Sequence, residues 1–201
     1  MTTTARPAVS SSAYPSHHRV LSDLLPGTRV RDVTLTLGFA AAIAVSAQVQ
    51  FALPGTTVPV TGQTFAVLAG AIALGRSRAT AGALLYLALG VVGLPWFSGA
   101  GPHTVGYIIG FVVAAAVVGE MVRRFGSRSP WQVMGAMAVG NLVIWAFGAT
   151  GLALVLGLSA GQAIATGVVP FLLGDAVKLI AAAAVLPLLW GIADPRGTLE
   201  R

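Results

Sequence analysis

Three long stretches of this 201-residue chain contain no Asp, Glu, Lys or Arg: Val33–Gly75, Ala79–Gly119 and Ser129–Gly174. Each runs 41 to 46 residues, about twice the roughly 20 apolar residues that one membrane-spanning helix needs. Each is also interrupted near its middle, by Pro54-Gly55 with Pro59, by Pro95 to Pro102, and by Gly151 to Gly161. Two helices joined by an uncharged turn fit each block. The runs are continuous in Ala, Leu and Val and do not alternate with period two, which favours helices over a closed barrel. The pattern predicts six helices, at about 32–51, 63–76, 79–94, 105–124, 130–153 and 168–191. Asp32 and Ser129 suit N-cap positions, and Pro130 suits a first helical position.

Composition places this bundle in lipid. Hydrophobic residues make up 56% of the chain and charged residues 9%, against about 25% charged in a soluble domain. Mean hydropathy is +0.84. A soluble enzyme, a nucleic-acid binder and a disordered chain are all disfavoured. The net charge of +6 comes from arginines scattered between neutral blocks, not from a dense basic patch. There are no cysteines, hence no disulfide framework and no thiolate metal site.

The predicted organisation is an all-α membrane protein. It has a flexible N-terminal tail (1–31), a six-helix transmembrane domain (32–191) and a short C-terminal tail (192–201). The first apolar stretch reads as a retained helix, not a cleaved signal. Eleven of the twelve basic residues fall in the two tails or between the second and third and the fourth and fifth helices. The other three connections have none. The positive-inside rule then puts both termini in the cytoplasm.

The twelfth basic residue is Lys178, inside the last predicted helix, three positions after Asp175. That spacing puts both on one helical face. With a helix starting near Val168, Asp175 lies about 10 Å along it at about 1.5 Å per residue. Ionisable groups inside a membrane mark substrate paths or lock a bundle as a self-paired bridge, and the sequence alone allows either. The pair offers a carboxylate acceptor and an ammonium donor, suited to a small ligand with polar N–H groups and a carboxylate.

Around it the uncharged outer loops supply Thr61, Gln63, Trp96, Phe97 and Tyr107 as candidate ligand contacts. Interfacial anchoring explains the aromatics equally well, and helix capping explains Thr61 and Gln63. Asn141, in the middle of the fifth helix, is a ligand contact or interhelical glue. Ala40 and Ala44 on the first helix have the small-xxx-small spacing of close helix packing.

Four runs carry a family resemblance: Val58-Pro-Val-Thr-Gly-Gln-Thr64, Leu85-Tyr-Leu-Ala-Leu-Gly-Val-Val-Gly-Leu-Pro-Trp-Phe97, Gly101-Pro-His-Thr-Val-Gly-Tyr-Ile-Ile-Gly-Phe111 and Pro170-Phe-Leu-Leu-Gly-Asp-Ala-Val-Lys178. In order and content they resemble the BioY family, the biotin-capturing S components of energy-coupling-factor (ECF) transporters, over about residues 32–191. Leu173 stands where the family usually has Pro, and Trp96 where Val is commonest; neither change removes a polar group. The resemblance implies six helices with both ends cytoplasmic and a multi-pass protein of a prokaryotic cytoplasmic membrane. It implies an outward-facing biotin site at Asp175 and Lys178, with Tyr86 of the second run among the site residues. It also implies docking through Ala40 and Ala44 onto a transmembrane coupling subunit that works with a pair of ATPases. Biotin suits the residues: its ureido ring needs donors and acceptors, its thiophane ring apolar walls, and its valerate a cation.

No Gly-x-x-x-x-Gly-Lys-Ser/Thr occurs, so any ATPase activity belongs to partners. The chain is expected to be no enzyme and to need no cofactor. Gly157-Leu-Ser-Ala-Gly161 matches a nucleophile elbow, but every His lies upstream of it. His17 and His18 have no acidic or thiol partners nearby, so no metal is expected. Gly106-Tyr-Ile-Ile-Gly110 matches the membrane packing motif, a common spacing in glycine-rich spans. The competing functional reading is a self-sufficient secondary carrier of biotin or another small vitamin, proton-coupled through Asp175. No inverted repeat supports a carrier built from two halves.

Overall fold

The computed structural model describes Leu21, residues 29–94 and residues 101–193. The described chain is almost wholly helical: α1 (Arg29–Gln48), α2 (Gln63–Leu74), α3 (Arg76–Val91), α4 (Val105–Phe125), α5 (Pro130–Leu156), α6 (Ala160–Gly167) and α7 (Leu172–Ala193). A two-stranded antiparallel hairpin, β1 (Gln50–Phe51) with β2 (Val60–Thr61), links α1 to α2 and pairs Gln50 with Thr61 and Phe51 with Val60. Four helical stretches are long and apolar enough to cross a membrane: α1, α4 with its preceding turn, α5, and Ala160–Ile192. The 12-residue α2 is apolar but short.

Helix boundaries follow local chemistry. Asp32 is not the expected cap, because α1 begins at Arg29 and Asp32 lies in its first turn. Its carboxylate instead accepts from Arg78 Nε at 2.9 Å and from Arg31 Nε at 3.3 Å, tying α1 to α3. The expected loop between the second and third helices shrinks to Gly75, at φ +77°, a conformation that costs little only for glycine. Arg76 and Arg78 therefore sit in the first turn of α3. At α5 the expected start holds: Pro130 opens the helix and Ser129 N donates to Gln132 Oε1 at 3.0 Å. The helix runs on to Leu156, and Gly157 ends it at φ +66°.

Where a plain turn is expected after α5, the structure has α6. Ser159 caps it, with Ser159 N donating to Gln162 Oε1 at 2.9 Å and Gln162 N to Ser159 Oγ at 3.4 Å. The serine of the apparent nucleophile elbow is thus a capping-box serine. The last helix begins at Leu172, four residues later than expected, after a 3-10 turn through Pro170.

The core centres on α4 and α5. Ala114, Ala115, Val118 and Ile144 are fully buried. The backbones approach through glycines: a Cβ on Gly106 would lie 2.6 Å from the Phe147 carbonyl oxygen and 2.9 Å from Gly151 Cα, and one on Gly110 would lie 3.1 Å from Ile144 Cα. The Gly106–Gly110 spacing, weak as a signal, is used here as a packing seam. On α1, the Phe39 ring occupies the space that side chains at Gly70 and Gly82 would need. This turns Phe39, Ala40, Ile43 and Ala44 inward. Ala40 and Ala44 are 2% and 6% exposed. The expectation that they present a docking stripe is corrected: they pack inside the bundle, while Leu37, Gly38, Ala41, Ala42 and Val45 lie on the exposed side.

At the arginine-rich end, Glu120 pairs with Arg123 and Arg124 and lies 3.5 Å from Arg76. Trp190 Nε1 donates to Ser127 Oγ at 3.0 Å beneath the Arg128 guanidinium, 4.6 Å from the ring centroid.

Gly106→Ala forces two backbones apart and is expected to lower unfolding free energy by about 1–3 kcal/mol, as overpacking does. Gly135→Ala on the same pair of helices meets open space and is expected to be neutral or stabilising. Thermal unfolding in detergent reads both.

Candidate functional site

At the end of the bundle opposite the arginine cluster, the hairpin, the ends of α1, α2, α4 and α7 and the middle of α5 enclose a cavity of about 270 Å³, near the lower limit of small-molecule pockets at about 300 Å³. Val58, Pro59 and Thr61 of the hairpin segment line it, with Gln63 and Thr64 of α2, Tyr107, Ile108 and Phe111 of α4, Ile144 and Trp145 of α5, and Asp175 and Lys178 of α7. The walls mix apolar and polar side chains: Thr61, Gln63, Thr64, Asp175 and Lys178 gather where α2 and α7 begin, and Gln48, Gln50 and Thr104 line it elsewhere.

Asp175 and Lys178 form the centre of that polar patch. Asp175 sits in the first turn of α7 and is 2% exposed; the Lys178 side chain is 19% exposed. The depth expected along a helix from Val168 is corrected by the later start at Leu172. What buries Asp175 is the packing of α2 and α5 against α7. Lys178 Nζ donates to Asp175 Oδ1 at 2.9 Å, to Thr64 Oγ1 at 2.8 Å and to the Thr61 carbonyl at 2.8 Å. These acceptors match the three protons of an ammonium. Thr64 Oγ1 donates to Asp175 Oδ1 at 2.8 Å, and Trp145 Nε1 donates to Oδ2 at 3.1 Å. A buried ion pair repays its desolvation only when its remaining protons and lone pairs are satisfied, and this surround does that. The pair bridges itself, and both residues also line the cavity.

The other predicted residues divide. Thr61 and Gln63 line the cavity and are joined, with Thr61 Oγ1 donating to Gln63 Oε1 at 3.1 Å. Tyr107 also lines it; its hydroxyl donates to the Gly167 carbonyl at 2.6 Å, and its ring lies edge-on to Phe171 with centroids 6.0 Å apart. Tyr86 and Asn141 are not among the described residues that line the cavity. Tyr86 is fully buried on α3 and accepts from Gln63 Nε2 at 2.7 Å. Asn141 is buried one helical turn from Trp145, and its Oδ1 has no partner among the described residues. Trp96 and Phe97 lie outside the described residues. His103, just before α4, approaches the Thr57 carbonyl at 3.3 Å and so joins two of the uncharged loops.

Sequence reasoning missed Trp145, Thr64, Gln48, Gln50, Thr104 and Phe111 as lining residues. Thr64 adjoins Gln63 in a quoted run and was legible there. Trp145 sits in an unbroken apolar run, 30 positions from the carboxylate it meets, and nothing local marks it.

Residues 16–194 match the BioY family. A biotin transporter BioY of Rhizobium etli is 34% identical over 169 residues, which is 76% of this chain and 89% of the relative. That of Thermotoga maritima is 33% identical over 155 residues, 73% of this chain and 88% of the relative. That of Rhodobacter capsulatus is 35% identical over 170 residues, 75% and 88%. Among solved structures, the S-component for biotin from an ECF-type ABC transporter matches with a TM-score of 0.70 at 21% identity, covering 82% of this chain and 94% of that one. This last likeness is one of fold.

Removing one member of the buried pair strands the other. Lys178→Met alone is expected to cost about 3 kcal/mol of stability, whereas Lys178→Met combined with Asp175→Leu regains most of it. Thermal unfolding of the ligand-free protein measures the difference.

Proposed function

The chain belongs to the BioY family, and from that premise we propose that it captures biotin on the outer side of a prokaryotic cytoplasmic membrane for uptake. In this reading it is the substrate-binding component of an ATP-driven transporter whose energy comes from other subunits. The observation that carries the reading is the small cavity with a hydrogen-bonded Asp175–Lys178 pair, its carboxylate buried, set among both apolar and uncharged polar side chains. Apolar and aromatic walls from Tyr107, Phe111, Ile144 and Trp145 suit a fused ring body. Thr61, Gln63, Asp175 and Lys178 suit a ureido group and a carboxylate. Trp96 and Phe97 complete the site in this reading.

Six spans follow if α1 to α5 and α7 all cross. The clustering of arginines at one end supports cytoplasmic termini. At 12 and 16 residues, α2 and α3 are shorter than a full span of about 20. Partner docking, expected from the resemblance, moves to the exposed side of α1, where Gly38, Ala41 and Ala42 permit close approach by a coupling subunit.

Equilibrium binding to the purified chain in detergent tests the core of the proposal. Biotin is expected to bind tightly without partners, with thiamine and riboflavin as non-binding controls. Asp175→Ala and Lys178→Ala should each weaken biotin by at least about tenfold, the scale of one charge-assisted hydrogen bond. A folded sample that ignores biotin would sink the assignment.

Docking has its own test. Gly38→Trp with Ala42→Trp is expected to abolish biotin uptake in cells that also carry coupling and ATPase subunits, and to leave binding intact. Uptake by the lone chain that tracks the proton gradient would instead favour the self-sufficient carrier.

A further inference from the structure

A run of hydrogen bonds leaves the cavity and reaches a side chain that has no surface in it. Lys178 Nζ donates to the Thr61 carbonyl. The Thr61 hydroxyl donates to Gln63 Oε1 at 3.1 Å, and Gln63 N is 3.3 Å from the same hydroxyl oxygen. Gln63 Nε2 donates to Tyr86 Oη at 2.7 Å, 23 positions along the chain. Tyr86 is 0% exposed on α3 and is not among the described residues that line the cavity.

A glutamine amide is nearly symmetric in shape, and only its hydrogen-bond partners decide which end is oxygen. The Thr61 hydroxyl donates its one proton to Gln63 Oε1 while its oxygen accepts the Gln63 N–H. Tyr86 Oη takes the N–H at the far end and holds the carbonyl of the amide toward Thr61. Without that phenol oxygen, the buried Nε2 loses its partner. The amide is then held from one side only, and the Thr61 hydroxyl loses a fixed acceptor. Thr61 also supplies the backbone oxygen that positions Lys178.

We propose that Tyr86 is a positioning residue for ligand binding, acting through the Gln63 amide and Thr61 on the Lys178 ammonium. The proposal rests on the reading of this cavity as the biotin site.

Tyr86→Phe tests it by removing one oxygen and keeping the ring. The wild-type chain is expected to bind biotin, and Tyr86→Phe to bind about three- to tenfold more weakly, the scale of one neutral hydrogen bond. A purely structural role for Tyr86 would lower stability and leave the following cycle additive. In a Gln63→Met background, where the amide is gone, Tyr86→Phe is expected to change biotin affinity less than about twofold. Unchanged affinity in Tyr86→Phe, or equal losses in both backgrounds, overturns the proposal. A wild-type chain that binds no biotin overturns the functional reading and this inference with it, so the two failures are told apart by the wild-type measurement.

Discussion

A lysine and an aspartate on one face of an apolar helix constrain everything around them. In low dielectric their mutual attraction does not offset desolvation unless the other lone pairs and protons also find partners. Here Thr64 comes from the first turn of α2, Trp145 from the middle of α5, and the Thr61 carbonyl from the end of β2. Those three groups must converge within about 3 Å of the pair, so the hairpin and the starts of α2 and α7 cannot be placed independently. The cavity is the space left beside that convergence. Its apolar part is shaped by residues that fill gaps over glycines, as the Tyr107 ring does over Gly148.

Much of the helical layout is legible because charge-free blocks and their Pro/Gly breaks are long-range features that survive local ambiguity. What fails is fine position. Gly75 alone joins α2 to α3, because two arginines that read as a loop also make a tolerable first helical turn at the end of a bundle. The extra helix α6 is spelled out by Ser159 and Gln162, yet Gly157–Gly161, which shares that serine, also spells an elbow. The interhelical context and the absence of a downstream histidine argue against the elbow. On α1 the small residues occur on two sides of the helix. Spacing alone picks Ala40 and Ala44, whereas the inward side is decided by Phe39 fitting over Gly70 and Gly82, residues on other helices.

The site shows the same division. Asp175 and Lys178 are conspicuous because charge is rare in the chain. Thr61, Gln63 and Tyr107 are found by polarity and by the family runs. Trp145 carries no local mark, and Tyr86, in one of the family runs, stands behind Gln63. Such residues are defined by a partner on another helix, which a linear reading cannot supply.

The full complement of acceptors around Lys178 has a consequence for how any anion arrives. An ammonium with three protons placed on three oxygens has no vacant valence to offer. A carboxylate therefore enters by substitution, and the acceptor it displaces must find another donor or water. Of the three, the Asp175 carboxylate is pinned by Thr64 and Trp145, and the Thr64 hydroxyl by Asp175. The number of hydrogen bonds to the cation is then conserved. Discrimination falls to the fit of the neutral body against the apolar walls, and anions without such a body gain nothing by the swap.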